Sequence, residues 1–167
     1  WKIADDSHLI FRGGAKVPPA DTVALVKDDW FVTGHENGLL NLWSLDKKRA
    51  IYSVDQAHGI SSESVSLGRS IVGLTSIKGS DVVASGSNDG YLRFWKVQTK
   101  EERCIQSLCQ VPLHGFVNDI DIDPKANVLV AAVGQEHRGG RWERVPKAKN
   151  RIAVIRLEKP IAFEALD

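Results

Sequence analysis

Short apolar runs recur along the chain, each followed by small residues, a turn dipeptide and a second run that alternates apolar and polar positions. The first such segment is Trp30-Phe31-Val32-Thr33-Gly34-His35-Glu36-Asn37-Gly38-Leu39-Leu40-Asn41-Leu42-Trp43, and the second is Asp81-Val82-Val83-Ala84-Ser85-Gly86-Ser87-Asn88-Asp89-Gly90-Tyr91-Leu92-Arg93-Phe94-Trp95. Asn-Gly and Asp-Gly tolerate the positive φ angles of a tight hairpin, so each segment predicts two antiparallel strands joined by a two-residue turn. Another apolar run lies upstream of each (Thr22 to Val26, Ile71 to Ile77) and another downstream (Ala50 to Val54, Arg103 to Leu108). Four strands per unit is the pattern of a propeller blade. A third unit starts at Gly115, continues through Val128 to Val133 and resumes at Arg151 to Leu157, with Ile155 standing where the others have Trp43 and Trp95. Trp1-Lys2-Ile3 is similar to Trp95-Lys96-Val97, which predicts that the chain opens in the third strand of an earlier blade with Leu9-Ile10-Phe11 as its fourth.

The Trp endings, the Asp-Gly turn and a His before a blade's first strand, in Ala57-His58-Gly59 and Leu113-His114-Gly115, resemble the WD-repeat family. Trp1 to Trp43 is 42 residues, within that family's ~40–45, and Trp43 to Trp95 is 52, the excess falling in the Ser-rich stretch from Ser61 to Ser70. The expected fold is all-β, a partial WD-repeat β-propeller of about three four-stranded antiparallel blades, read as the C-terminal fragment of a seven-bladed ring. Its expected divisions are 1–14 (end of an earlier blade), 15–56, 57–111 with the Ser-rich insertion, and 112–167 with a basic insertion at 134–151. The resemblance implies structural roles for His58, His114, Trp43, Trp95 and Asp89, the imidazoles joining a strand Ser or Thr (Thr33, Ser85) and the indole N–H in a hydrogen-bond chain. Closing a ring takes roughly four to eight blades, so further blades are expected on the N-terminal side, with a segment there supplying the last blade's outermost strand.

At 167 residues the chain suits one compact unit, and 43% hydrophobic and 26% charged residues with a formal net charge of +1 exclude a disordered tail, a collagen-like rod and a globally polybasic arm. No stretch approaches the ~20 apolar residues of a membrane span, and the first residues lack the pattern of a signal peptide, so no membrane partner is expected. Cys104 and Cys109 are too few for a disulfide framework and read as two reduced thiols in or beside a strand. The chain holds no methionine, which marks it as a piece of a longer polypeptide.

Catalytic motifs are missing: there is no Walker-type loop, no Gly-x-Ser-x-Gly elbow and no His-Glu-x-x-His. Gly86-Ser87-Asn88-Asp89-Gly90 is glycine-rich but precedes a strand, whereas phosphate loops open a helix. Asp119, Asp121 and Asp123 share one face of a strand, yet the run lacks the Gly and distal Glu of a calcium loop. No metal, cofactor or small-molecule substrate is expected.

One segment departs from the repeat. Where the other blades have a turn, this one inserts Gly134 to Arg151, and from His137 to Arg151 six basic residues face the single acidic Glu143, a net of +5 against −4 for the rest of the chain. Lys and Arg neutralise phosphates, and Trp and Arg planes stack on unpaired bases. Charge alone leaves open a nucleic acid, an acidic protein surface or a solvated loop. The Gln135-Glu136-His137-Arg138-Gly139-Gly140-Arg141-Trp142 core, about twenty residues after Pro112-Leu113-His114-Gly115-Phe116-Val117-Asn118, resembles the C-terminal blade of the WD-repeat proteins of the U3 small nucleolar ribonucleoprotein. That resemblance implies a non-catalytic nucleolar scaffold. Its expected partners are U3 small nucleolar RNA at the B/C motif, the box C/D core proteins including the kink-turn-binding protein, and the small-subunit processome. Arg138, Arg141, Arg144, Lys147, Lys149 and Arg151 are then candidates for phosphate contact, Trp142 for stacking or anchoring the loop, and Gln135, Glu136 and His137 for RNA edges or for fixing the loop's base. The alternative is a WD-repeat adaptor that binds only proteins through the rim near His35 and His58.

Overall fold

The computed structural model describes residues 8–11, 17–27, 29–61, 67–77 and 79–157, the side chains of Arg141 and Trp142 excepted. Alternating apolar positions flanked by turn residues become strands throughout. The first sheet holds β1 (Ala20–Lys27), β2 (Trp30–His35), β3 (Leu40–Ser44) and β4 (Lys47–Val54), and the second β5 (Gly73–Ser76), β6 (Val82–Gly86), β7 (Tyr91–Gln98) and β8 (Cys104–Pro112), each an antiparallel meander in chain order. In the third, β9 (Phe116–Ile122) and β10 (Val128–Gly134) pair with β13 (Arg151–Arg156), in the order β13-β10-β9. Between β10 and β13 the chain forms a separate two-stranded hairpin, β11 (Glu136–His137) and β12 (Gly140–Arg144). The fold is a partial WD-repeat propeller.

Registers relate the three sheets. Phe31 pairs with Trp43, Val83 with Trp95 and Leu129 with Ile155, so Ile155 occupies the place of the two tryptophans. The turns differ from expectation. The strands stop earlier, leaving four-residue connections at 36–39 and 87–90, and of the turn dipeptides only Gly38 (φ 81°) and Gly90 (φ 89°) take positive φ. A two-residue turn of type I′ needs positive φ at both positions. Here Asn37 and Asp89 instead accept a hydrogen bond from the amide two residues on, Leu39 N (3.1 Å) and Tyr91 N (3.2 Å), the side-chain turn open to Asn and Asp.

Apolar packing joins the sheets face to face. Ala24, Val26, Val32, Leu40 and Leu42 of the first meet Leu74, Val83, Trp95, Val97 and Ile105 of the second. On the second sheet's other face, Val82, Ala84, Leu92 and Phe94 meet Val117, Ile120, Leu129, Ala131 and Val133 of the third. The outward faces of the two end sheets carry exposed apolar side chains, Val23 and Leu25 at 62% and 71% exposure and Ile152 and Val154 at 74% and 64%. Residues 1–7, with the expected strand at Trp1, lie outside the described part. Leu9–Phe11 pairs with no strand among the described residues; Phe11 meets Phe31 and Trp43 edge-on, with ring centroids 5.3 and 6.2 Å away. Cys104 and Cys109 are free thiols in β8.

Candidate nucleic-acid interface

Buried polar chains brace the first two sheets. In the second, Trp95 Nε1 donates to Ser85 Oγ (2.7 Å), Ser85 Oγ is hydrogen-bonded to His58 Nε2 (2.8 Å), and His58 Nδ1 faces Asp89 Oδ1 at 3.0 Å. Arg93 closes the series by donating Nε and Nη2 to Asp89 Oδ2 at 2.9 and 2.8 Å. Burial pushes the Asp89 carboxyl up, but the hydrogen bond and charge of His58, the Arg93 fork and the Tyr91 amide outweigh it and hold the group below the usual carboxylate range. The first sheet builds its chain from other residues. Trp43 Nε1 donates to Thr33 Oγ1 (2.8 Å), and Thr33 Oγ1 and Asn41 Nδ2 donate to His35 Nε2 at 2.8 and 3.1 Å, while His35 Nδ1 donates to the Pro18 carbonyl (2.9 Å). That histidine lies at the end of β2, and the sequence reading had assigned it to the rim, not to a buried polar chain.

The third sheet has no such chain. Ile155 takes the place of Trp95 and the buried Ala131 that of Ser85, so His114, expected to bridge a hydroxyl, has none to bond and is exposed. Its three aspartates have local roles. Asp119 and Asp121 accept from the amides of Ile120 and Ile122 at 3.0 and 2.9 Å, and Asp123 Oδ1 accepts from Asn127 N and Val128 N at 2.5 and 2.7 Å. The Val128 amide is the main reason the Asp123 carboxyl lies below its usual range, with smaller help from the amides of Asn127 and Lys125 and the Lys125 charge against a little desolvation. Among the described residues no His, Cys, Asp or Glu group is placed to hold a metal.

The basic insertion is a stitched hairpin. Asn118, on β9, donates Nδ2 to the Glu136 carbonyl (2.9 Å) and accepts at Oδ1 from Arg138 N (2.9 Å). The Arg138 guanidinium reaches the Asn118 and Asp21 carbonyls at 3.3 and 3.4 Å, tying the hairpin back to β1. At the base, Asn150 Oδ1 accepts from Gln135 N (2.9 Å), and Gln135 Nε2 donates to the carbonyls of Pro146 and Ala148 at 3.1 and 2.8 Å. Arg144 Nη2 donates to Gln135 Oε1 (3.0 Å) and its Nε stands 3.8 Å from Glu136 Oε1. Asn88, in the second sheet's turn, donates to Glu143 Oε1 (2.9 Å), and the His137 ring meets Phe116 edge-on at 6.2 Å. Gln135 and His137, candidates for RNA edges, are thus engaged in holding the hairpin. The backbones of Arg141 and Trp142 lie in β12, while their side chains fall outside the described part. Lys147 and Lys149 are exposed on the segment leading into β13, and Arg151 is exposed at that strand's first position.

No family model matches the chain. Relatives do. The U3 small nucleolar RNA-interacting protein 2 of Mus musculus is 34% identical over 156 residues, covering 93% of this chain and 32% of that protein. Two solved structures, one titled "Structure of U3-55K" and one "Crystal structure of RRP9 WD40 repeats", superpose with TM-scores of 0.85 and 0.84 at 35% and 34% identity, over 94% and 93% of this chain. Over nearly its whole length the chain is similar to these proteins in sequence and in propeller fold. It spans about a third of the mouse relative's length and 47% of each of the solved chains. The sequence pointed to the basic residues of the insertion but not to its anchors Asn118, Asn150, Asn88 and Asp21. An available signal was the pair of asparagines on either side of the charged run: Asn118, near the start of β9, and Asn150, next to β13.

Proposed function

We propose that the chain is the RNA-contacting part of a non-catalytic scaffold of the U3 small nucleolar ribonucleoprotein, acting in the nucleolus in pre-ribosomal RNA processing for the small subunit. It would sit at the B/C motif of U3 RNA beside the box C/D core proteins, including the kink-turn-binding protein, within the small-subunit processome. One observation carries the reading: a hairpin rich in Arg and Lys, anchored to all three sheets through Asn118, Asn88 and Asp21, in a chain whose relatives are named for U3. A basic segment with fixed backbone suits RNA, since its ordering cost is met before binding and its charges release counterions.

The adaptor reading draws on a cavity of about 660 Å³ between the rim and the hairpin, whose lining includes Glu36, Asn37, Arg69, Asn88, His137 and Glu143. Ultraviolet crosslinking followed by immunopurification of the parent protein separates the two. Enrichment of U3 RNA with crosslinks at its B/C region is the expected result. Reproducible protein partners without RNA would replace the proposal by the adaptor.

A further inference from the structure

The insertion's cations do not stand in equal surroundings. Arg138 has its main-chain N–H and its guanidinium bonded to Asn118 and Asp21, and Arg144 lies between the Gln135 amide and the Glu136 carboxylate. Turning either toward a phosphate removes a stitch of the hairpin, and Glu136 would repel the anion approaching Arg144. Lys147, Lys149 and Arg151 differ. All three are exposed, and among the described residues none makes an ion pair.

Their backbone is nonetheless held. Gln135 Nε2 grips the carbonyls of Pro146 and Ala148, and Ala148 N donates to the Val145 carbonyl (3.0 Å). Ala148 is 4% exposed and sits over Gly115, where a Cβ would come within 3.1 Å of its own; with φ at 128°, that position requires glycine. Asn150 is bonded to Gln135 N. From 147 to 151, basic side chains pointing to solvent therefore alternate with residues that hold the segment to the protein. The result is a row of three cations spanning at most about 14 Å of chain. A row suits a polyanion; an isolated phosphate group calls for converging donors.

We infer that Lys147, Lys149 and Arg151 form the surface that tracks the RNA phosphodiester backbone, while Arg138 and Arg144 are positioning residues that set the hairpin. The inference rests on the RNA reading above and deepens it. The test uses the full-length parent protein and an RNA fragment carrying the U3 B/C motif, with affinity measured across a potassium chloride series. Replacing Lys147, Lys149 and Arg151 together by Ala is expected to lower the salt slope by about 2 and the affinity about 100-fold at 0.1 M salt, from ~0.7 in slope per lost contact, with the thermal midpoint unchanged. Arg138→Lys keeps the charge but loses the fork. It is expected to weaken binding at an unchanged slope and to speed amide exchange in 135–144. A triple variant with the wild-type slope, or an Arg138→Lys variant with wild-type affinity, overturns the division. If the unmodified protein fails to bind the fragment at low salt, the RNA reading itself falls, and that outcome is separate from either variant's result.

Discussion

The second and third sheets share one register and reach opposite solutions at the same positions. Where the second sheet places Ser85, Trp95 and a buried His58, the third places Ala131, Ile155 and an exposed His114. Where the second uses its turn residue Asp89 to hold His58 and Arg93, the third opens the same turn into the β11–β12 hairpin. Replacing every member of a buried polar chain by apolar groups costs little, whereas removing one member leaves its partners unsatisfied. The third sheet exchanges both the hydroxyl and the indole for apolar side chains and leaves its histidine in solvent. Its turn, no longer needed to hold a histidine, carries the inserted segment instead.

Substitutions test that contrast. The largest expected effect is at Trp95, which is buried at 4% exposure and anchors both the apolar seam and the polar chain. Trp95→Ala should lower unfolding free energy by about 3–5 kcal/mol in a denaturant titration. Ser85→Ala follows at about 2 kcal/mol, because it orphans Trp95 Nε1 and His58 Nε2 while removing almost no volume. The converse change, Ala131→Ser, should cost about 1 kcal/mol, since the third sheet offers the new hydroxyl no indole or imidazole. If Ala131→Ser were neutral and Ser85→Ala equally so, the contrast between the sheets would have no energetic content.

The smallest effect near neutral pH concerns Asp89. Its folded-state pKa lies below the ordinary value, so its stabilisation is fully present above the unfolded-state pKa of about 3.9 and is lost as pH falls through the folded value. Thermal midpoints should fall on acidification below about pH 4, and Asp89→Asn should make that part of the profile shallower. Asp123, depressed mainly by the Val128 amide, acts in the same window and remains in the variant.

Much of the architecture was readable because hairpins announce themselves through Asn37-Gly38 and Asp89-Gly90, and because alternation sets which side chains face the core. Turn length was not readable, since Asn37 and Asp89 bond the backbone through their side chains and leave only the glycines at positive φ. Leu113-His114-Gly115 imitates Ala57-His58-Gly59, yet a histidine's role depends on distant partners, and Ala131 and Ile155 are what exclude His114 from a buried chain. His35, read only as a marker of the rim, had no bonding role assigned for the opposite reason: its partners Thr33, Asn41 and Pro18 come together only in the folded sheet. The charge of the insertion was plain in the sequence. Its geometry was not, because Gly139-Gly140 suggests a mobile loop while the anchors Asn118, Asn88 and Asp21 lie well outside the charged run.

Among the described residues, one sheet is covered by another on both faces and its two neighbours on one face each, and that asymmetry sets a clock within these 167 residues. Amides of β6 and β7, flanked by strands and by apolar layers on either side, can exchange with deuterated solvent only when a neighbouring sheet lifts away. Those of β13 and β1, at sheet edges beside Ile152, Val154, Val23 and Leu25, need only a local breath. Deuterium should therefore enter from both ends of the row and reach the middle last.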